Sequence, residues 1–130
     1  LSLHDALPIL ILAAALTNET RYLFDASKFA IMKPTAYLVN IARGPMVHTA
    51  DLIGALNNHV IAGAAVDVTD PEPLPDGHPL WNAKNIIITP HTADTRKQVV
   101  RLFSDRIREN VRAYGEGKPL VGVVDPELGY

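Results

Sequence analysis

Apolar runs alternate along the chain with stretches whose apolar positions recur at helical spacing. "LILAAAL" (Leu10–Leu16) predicts a strand. Asp25 is placed to cap a short helix carrying Phe29, Ile31 and Met32, and Pro34 stops it. "TAYLVNIA" (Thr35–Ala42) predicts a second strand. Thr49 is then expected to cap a helix with Leu52, Ile53 and Leu56 on one face, closed by "NNH". "VIAGAAVDV" (Val60–Val68) predicts a third strand, whose glycine and alanines let a neighbouring element come close. After the Pro-rich loop "TDPEPLPDGHP", "NIIIT" predicts a fourth strand. A long amphipathic helix follows from about Thr95 to Tyr114, with Val99, Val100, Phe103, Ile107 and Val111 on its apolar stripe. Gly115 and Gly117 end it, and "KPLVGVVDPELGY" is a tail with no clear element.

Strands that read as buried on both faces, with helices between them, predict an α/β fold around a parallel sheet with right-handed crossovers. In such sheets ligands bind beyond the carboxyl ends of the strands. Each predicted strand ends at a polar or ionisable residue: Thr17 follows the first, Arg43 the second, Asp67 closes the third and His91 follows the fourth. Parallel topology places all four on one rim.

The bulk numbers narrow the field. A chain of 130 residues with 48% hydrophobic and 20% charged residues is globular, not disordered. A net charge of −2 gives no reason to expect a nucleic acid or an anionic membrane as partner. With no cysteine, disulfide scaffolds, thiolate metal sites and cysteine nucleophiles are excluded, and a cytoplasmic setting is expected. "LPILILAAAL" resembles a signal-peptide core but lacks a basic leader, and it falls short of the ~18 apolar residues of a membrane span. The first nine residues, "LSLHDALPI", correspond codon for codon to a common sequencing-library adapter. Residues 1–9 are therefore expected to be non-native, with native sequence starting near Leu10.

Arg43, Asp67, Glu72 and His91 together suggest a chemistry. A guanidinium grips a carboxylate through two hydrogen bonds. An imidazole gives and takes a proton near neutral pH, and a carboxylate beside it fixes the ring and favours its charged form. Together they could bind a 2-oxo acid and protonate its carbonyl oxygen while a cofactor delivers hydride to carbon. Taken singly, each residue has a plainer reading. His91 could be a loop or helix-entry residue, Arg43 a surface ion-pair member, Asp67 a strand-end carboxylate, and Glu72 a solvated acid between prolines. His78 reads as a turn residue, with Trp81 packing the loop onto the core. His48 and His59 flank a helix at a spacing that fits no metal site.

Five ordered blocks resemble the D-isomer-specific 2-hydroxyacid dehydrogenases: "LTNET" (Leu16–Thr20), "MKPTAYLVNIARG" (Met32–Gly44), "ALNNHVIAGAAVDV" (Ala55–Val68), "DPEPLPDGHPLW" (Asp70–Trp81) and "NIIITPHTA" (Asn85–Ala93). The resemblance implies the C-terminal half of a Rossmann-like NAD-binding domain over residues 10–114. Residues 115–130 would be a tail returning toward a substrate domain. It also implies roles. Arg43 would bind the substrate's carboxylate and carbonyl, and His91 would be the acid in reduction and the base in oxidation. Glu72 would raise the basicity of His91. Asp67 would contact the nicotinamide end of the cofactor, with Thr17 and the backbone of Asn40, Ile41 and Ala42 lining its cleft.

Ala15, His48 and Asp94 depart from the family pattern, where proline, an acidic residue and glycine are usual. The glycine-rich phosphate-binding turn and the residue that reads the ribose 2′ position do not occur in this sequence, so NAD and NADP are not distinguished. The expected function is an NAD(P)-dependent oxidoreductase acting on a small D-2-hydroxy or 2-oxo acid of glyoxylate, hydroxypyruvate or phosphoglycerate type. The parent protein is expected to be a homodimer, and the 130 residues alone inactive and poorly folding. An NAD-sensing corepressor of the same fold is the alternative.

Overall fold

The computed structural model describes residues 8–94 and 96–127, which divide into two units, Leu1–His91 and Thr92–Tyr130. The expectation for residues 1–7 lies outside the described residues. In the first unit the elements run β1 (Ile9–Leu12), α1 (Ala26–Ala30), β2 (Tyr37–Asn40), α2 (Thr49–Asn57), β3 (Gly63–Val66) and β4 (Ile86–Ile88). The four strands form one sheet in the order β1-β2-β3-β4, and every pairing is parallel. The predicted α/β class holds, with each strand shorter than its apolar run.

Strand lengths follow from pairing. Residue by residue, Leu12 lies opposite Asn40, Asn40 opposite Val66 and Val66 opposite Ile88, so all four strands stop at one line. The backbone turns away from pairing after Asn40, which leaves Ala13–Leu16 no ladder partner despite their apolar character. Ile9 is paired with Tyr37 and belongs to β1. At the other end of β3, a Cβ on Gly63 would stand 2.8 Å from the Asn85 carbonyl and from the Tyr37 ring. The close approach expected of this strand is therefore realised at its glycine.

Period-2 alternation sends Leu12, Leu38, Ala64 and Val66 to one face, where they share a core with Phe29 of α1 and with Leu52, Ala55 and Leu56 of α2. Leu38 and Met46 are fully buried, at 0% exposure. Removing an aliphatic side chain from such a site costs about 2–5 kcal/mol. The opposite face differs from expectation. Ile9, Ile11, Tyr37 and Ile87 are exposed, so the strands are covered on one face and not on both.

Asp25 caps α1 as predicted, its carboxylate accepting from the Lys28 backbone N–H at 3.1 Å. Thr49 does not cap α2. The N-cap is His48, which makes no side-chain capping bond, and Thr49 is the first helical residue. Its hydroxyl instead donates to the Asp70 carbonyl at 2.7 Å. Trp81 also departs from its reading as a core-packing residue. It is 49% exposed and donates from Nε1 to the Pro75 carbonyl at 2.9 Å, while its neighbour Leu80 fills the core.

The second unit carries α3 (Arg96–Gly115), one residue off the predicted span at each end. Val100, Phe103, Ile107 and Val111 are all exposed, and no residue of the helix is buried. The tail is tied back by Asn110, whose amide exchanges two hydrogen bonds with the Val121 backbone at 3.0 and 2.9 Å. Among the described residues, no helix is long and apolar enough to cross a membrane.

Candidate active site

The strand ends carry polar residues into one region. Beyond β3 and β4, Asp67, Thr69, Glu72, Thr89 and His91 line a cavity of about 320 Å³ with Pro73, Leu74, Trp81, Ile88 and Pro90. The ladder continues one residue past each strand: the Asp67 N–H donates to the Asn40 carbonyl and the Thr89 N–H to the Val66 carbonyl. That common register delivers Asp67 and Thr89 to the same level, and the Thr89 hydroxyl donates to the Asp67 carboxylate. Asp67 is only 6% exposed and presents a buried carboxyl group to the cavity.

Pro90 then breaks the strand, and His91 takes a left-handed backbone, φ 54°. Few non-glycine residues adopt that conformation. Here it turns the imidazole back toward the loop after β3, where His91 Nδ1 lies 2.6 Å from Glu72 Oε1. Nineteen residues separate the two in sequence. With Nδ1 committed to the carboxylate, proton exchange with a ligand falls to Nε2. A carboxylate on one nitrogen fixes ring orientation and tautomer, as general acid–base work requires.

Arg43 does not line this cavity. It follows β2 in a turn shaped by Asn40, which is buried: the Asn40 amide donates to the Arg43 carbonyl at 3.0 Å, and its oxygen accepts from the Ala42 N–H at 3.0 Å. The guanidinium donates to the Ala42 carbonyl at 2.6 Å. The next residue, Gly44, runs against the cavity loop so closely that a Cβ would sit 1.8 Å from the Thr69 carbonyl oxygen. No side chain fits there, and the arginine turn is pressed onto the loop that leads to Glu72. Of the residues read as cofactor-lining, Ile41 is exposed and Ala42 buried. Thr17 lies in the turn beyond β1, its hydroxyl accepting from the backbone N–H groups of Glu19 and Thr20.

Thr69 and Thr89 escaped the sequence reading, and Trp81 was read only as a packing residue. Thr89 was within reach of it, because a parallel register that places Asp67 on the rim places the first residue after β4 beside it. Among the described residues, no group of three or more His, Cys, Asp or Glu side chains could hold a metal ion.

A parallel α/β sheet with a cavity beyond its carboxyl strand ends, apolar-walled and carrying a few polar groups, defines the class: an open α/β fold of the kind whose ligand sites lie at the sheet's C-terminal rim. The family follows from comparison. Residues 2–93 match the NAD-binding domain of the D-isomer specific 2-hydroxyacid dehydrogenases, and the chain belongs to that family. It is 41% identical over 114 residues to glyoxylate/hydroxypyruvate reductase A of Photorhabdus laumondii, covering 88% of this chain and 36% of that protein. The crystal structure of a D-isomer specific 2-hydroxyacid dehydrogenase from Xanthobacter autotrophicus Py2, in complex with NADPH and MES, superposes with a TM-score of 0.86 at 41% identity. That superposition covers 95% of this chain and 50% of the Xanthobacter chain. The NADPH-dependent glyoxylate/hydroxypyruvate reductase of Sinorhizobium meliloti, in complex with NADP and sulfate, also gives a TM-score of 0.86, at 30% identity, over 95% of this chain and 40% of its own. The chain thus spans half or less of the relatives it matches.

Proposed function

We propose that the protein carrying this chain is a cytosolic, homodimeric NAD(P)-dependent oxidoreductase that interconverts a small 2-oxo acid and its D-2-hydroxy acid, of the glyoxylate or hydroxypyruvate type. The observation that carries the proposal is the 2.6 Å contact between His91 and Glu72 on the wall of a cavity that also holds Asp67. The names of the relatives supply the substrate class.

The residues present fit a nicotinamide cofactor at the rim. Asp67, buried and facing the cavity, offers a carboxylate to a carboxamide N–H, and Leu74, Ile88, Pro90 and Trp81 give apolar walls suited to a flat ring. When bound, the cofactor supplies or accepts the hydride. The remaining work belongs to the chain. Arg43 would grip the substrate carboxylate through its planar fork. His91 Nε2 would give a proton to the carbonyl oxygen in reduction and take it back in oxidation. Glu72 would hold the ring in register and balance the imidazolium. Thr17 and the backbone of Asn40, Ile41 and Ala42 would line the cofactor's cleft.

The sign of the pH dependence follows from these roles. Reduction consumes a proton passed through His91 and oxidation releases one, so falling pH favours reduction of the 2-oxo acid and rising pH favours oxidation. The deciding experiment is oxidation of NADH and NADPH by the intact protein with a panel including glyoxylate and hydroxypyruvate. Turnover with opposite pH trends in the two directions is expected. No turnover above blank across the panel overturns the proposal. The 130 residues alone are proposed to be inactive and to bind nucleotide poorly, and micromolar NADH binding by calorimetry would refute that.

A further inference from the structure

The loop that presents Glu72 is gripped from the side away from the cavity. Thr49, at the start of α2, donates its hydroxyl to the Asp70 carbonyl at 2.7 Å, and the Tyr22 hydroxyl donates to the Asp70 carboxylate at 3.2 Å. Two side chains from separate segments, 21 and 48 residues distant in sequence, therefore converge on one residue, two positions before Glu72. Tyr22, His48, Thr49, Asp70 and His78 surround an open hollow of about 340 Å³ on this side.

Tyr22 looks built for the task. Its backbone is left-handed, φ 51°, a conformation that favours glycine and strains a residue with a Cβ. A glycine there would bring no hydroxyl. The ring is held by an edge contact with His48, at 5.3 Å between centroids, and the Tyr22 N–H donates to the Pro45 carbonyl at 2.7 Å. Thr49 is equally diverted. It stands where its hydroxyl leaves the end of α2 uncapped and reaches the loop instead.

We infer that Thr49 and Tyr22 are positioning residues: through Asp70 they fix the loop that sets Glu72 against His91. The inference rests on the proposed role of that pair. The carboxylate of Glu72 is partly exposed, and its own loop is also tied by the Thr69 hydroxyl to the Pro71 carbonyl at 2.8 Å and, further along, by Trp81 Nε1 to the Pro75 carbonyl at 2.9 Å. Releasing Asp70 would let Glu72 swing away from the imidazole without unfolding the core, since Thr49 and Tyr22 lie outside the buried cluster.

The test is a cycle of substitutions in the intact protein. Thr49→Val removes the hydroxyl at constant shape and is expected to lower kcat about three- to tenfold, the span of one neutral hydrogen bond. KM for NADH and Tm should change little, and Thr49→Ser should restore the rate. Tyr22→Phe should act in the same direction. In a Glu72→Gln background, Thr49→Val should have no further effect, because the residue it acts through is already gone. An equal loss in both backgrounds overturns the inference, as does a Thr49→Val protein with parental kcat. If Thr49→Val fails to fold, the exposed Tyr22→Phe substitution takes its place in the cycle. The downfield NMR signal of the His91 Nδ1 proton, held by Glu72, gives a second readout that needs no turnover. It should weaken in Thr49→Val and Tyr22→Phe, and its full retention overturns the inference even if the protein has no activity on any 2-oxo acid.

Discussion

Among the described residues of the first unit, two histidine–carboxylate pairs differ in everything except composition. His91 and Glu72 meet at 2.6 Å across a gap of nineteen residues, on the wall of a cavity with apolar sides and a buried carboxyl group in its lining. His48 and Asp51 lie one helical turn apart at the start of α2, 2.9 Å between Nδ1 and Oδ2, in a close contact without the alignment of a hydrogen bond. The second pair is a product of helical spacing, where residues three apart are neighbours whatever their purpose. The first exists only because a parallel register, a proline and a left-handed histidine bring distant segments together. Proximity of an imidazole and an acid is thus weak evidence of chemistry. Convergence from distant segments onto a cavity is stronger.

Removing the two histidine partners separates the pairs most sharply. His91→Ala should lower kcat by about 10²–10⁴-fold, the usual contribution of a positioned acid or base. The check is steady-state reduction of glyoxylate or hydroxypyruvate by the intact protein. Glu72→Gln comes next. A hydrogen bond to a charged group contributes about 1.5–3 kcal/mol, on the order of ten- to a hundredfold in rate. Asp51→Ala should leave kcat where it was and act on stability instead. Asp51 accepts the Ala26 N–H at 2.9 Å, joining α2 to the start of α1, and its loss should cost about 0.5–1.5 kcal/mol in denaturant unfolding. A large rate loss from Asp51→Ala would erase the distinction between the two pairs.

The smallest effect concerns Asp25. The Ser27 hydroxyl, then the Lys28 backbone N–H, hold its carboxyl below the ordinary carboxylate value. A group lowered in the folded state stabilises above its unfolded pKa, and that contribution is lost as pH falls through the folded value. Asp25→Asn should therefore flatten the acid limb of the stability curve slightly, measured as Tm against pH, and leave neutral-pH activity unchanged.

The sequence showed the layout of strands and helices well, because hydrophobic periodicity records which residues prefer burial. It showed less well where burial occurs. Val100, Phe103, Ile107 and Val111 have the spacing of a core stripe, and Ile9, Ile11 and Ile87 that of a buried strand face, yet all are exposed. Hydropathy states what a residue would accept, not whether a neighbour is there to cover it. On the rim, Asp67 and His91 were visible as strand-end residues, and Glu72 became meaningful only through its family position. Thr49 was misjudged because a hydroxyl at a helix start ordinarily caps. Its carbonyl partner lies 21 residues away, where no local pattern could point to it.

The contact between Gly44 and Thr69 has a mechanical consequence. There is no room for even a methyl group between them, so the arginine-bearing turn and the loop leading to Glu72 meet backbone to backbone. A side chain of any size at Gly44 would have to push the Thr69 backbone aside, so the position couples the shape of the arginine turn to that of the loop leading to Glu72.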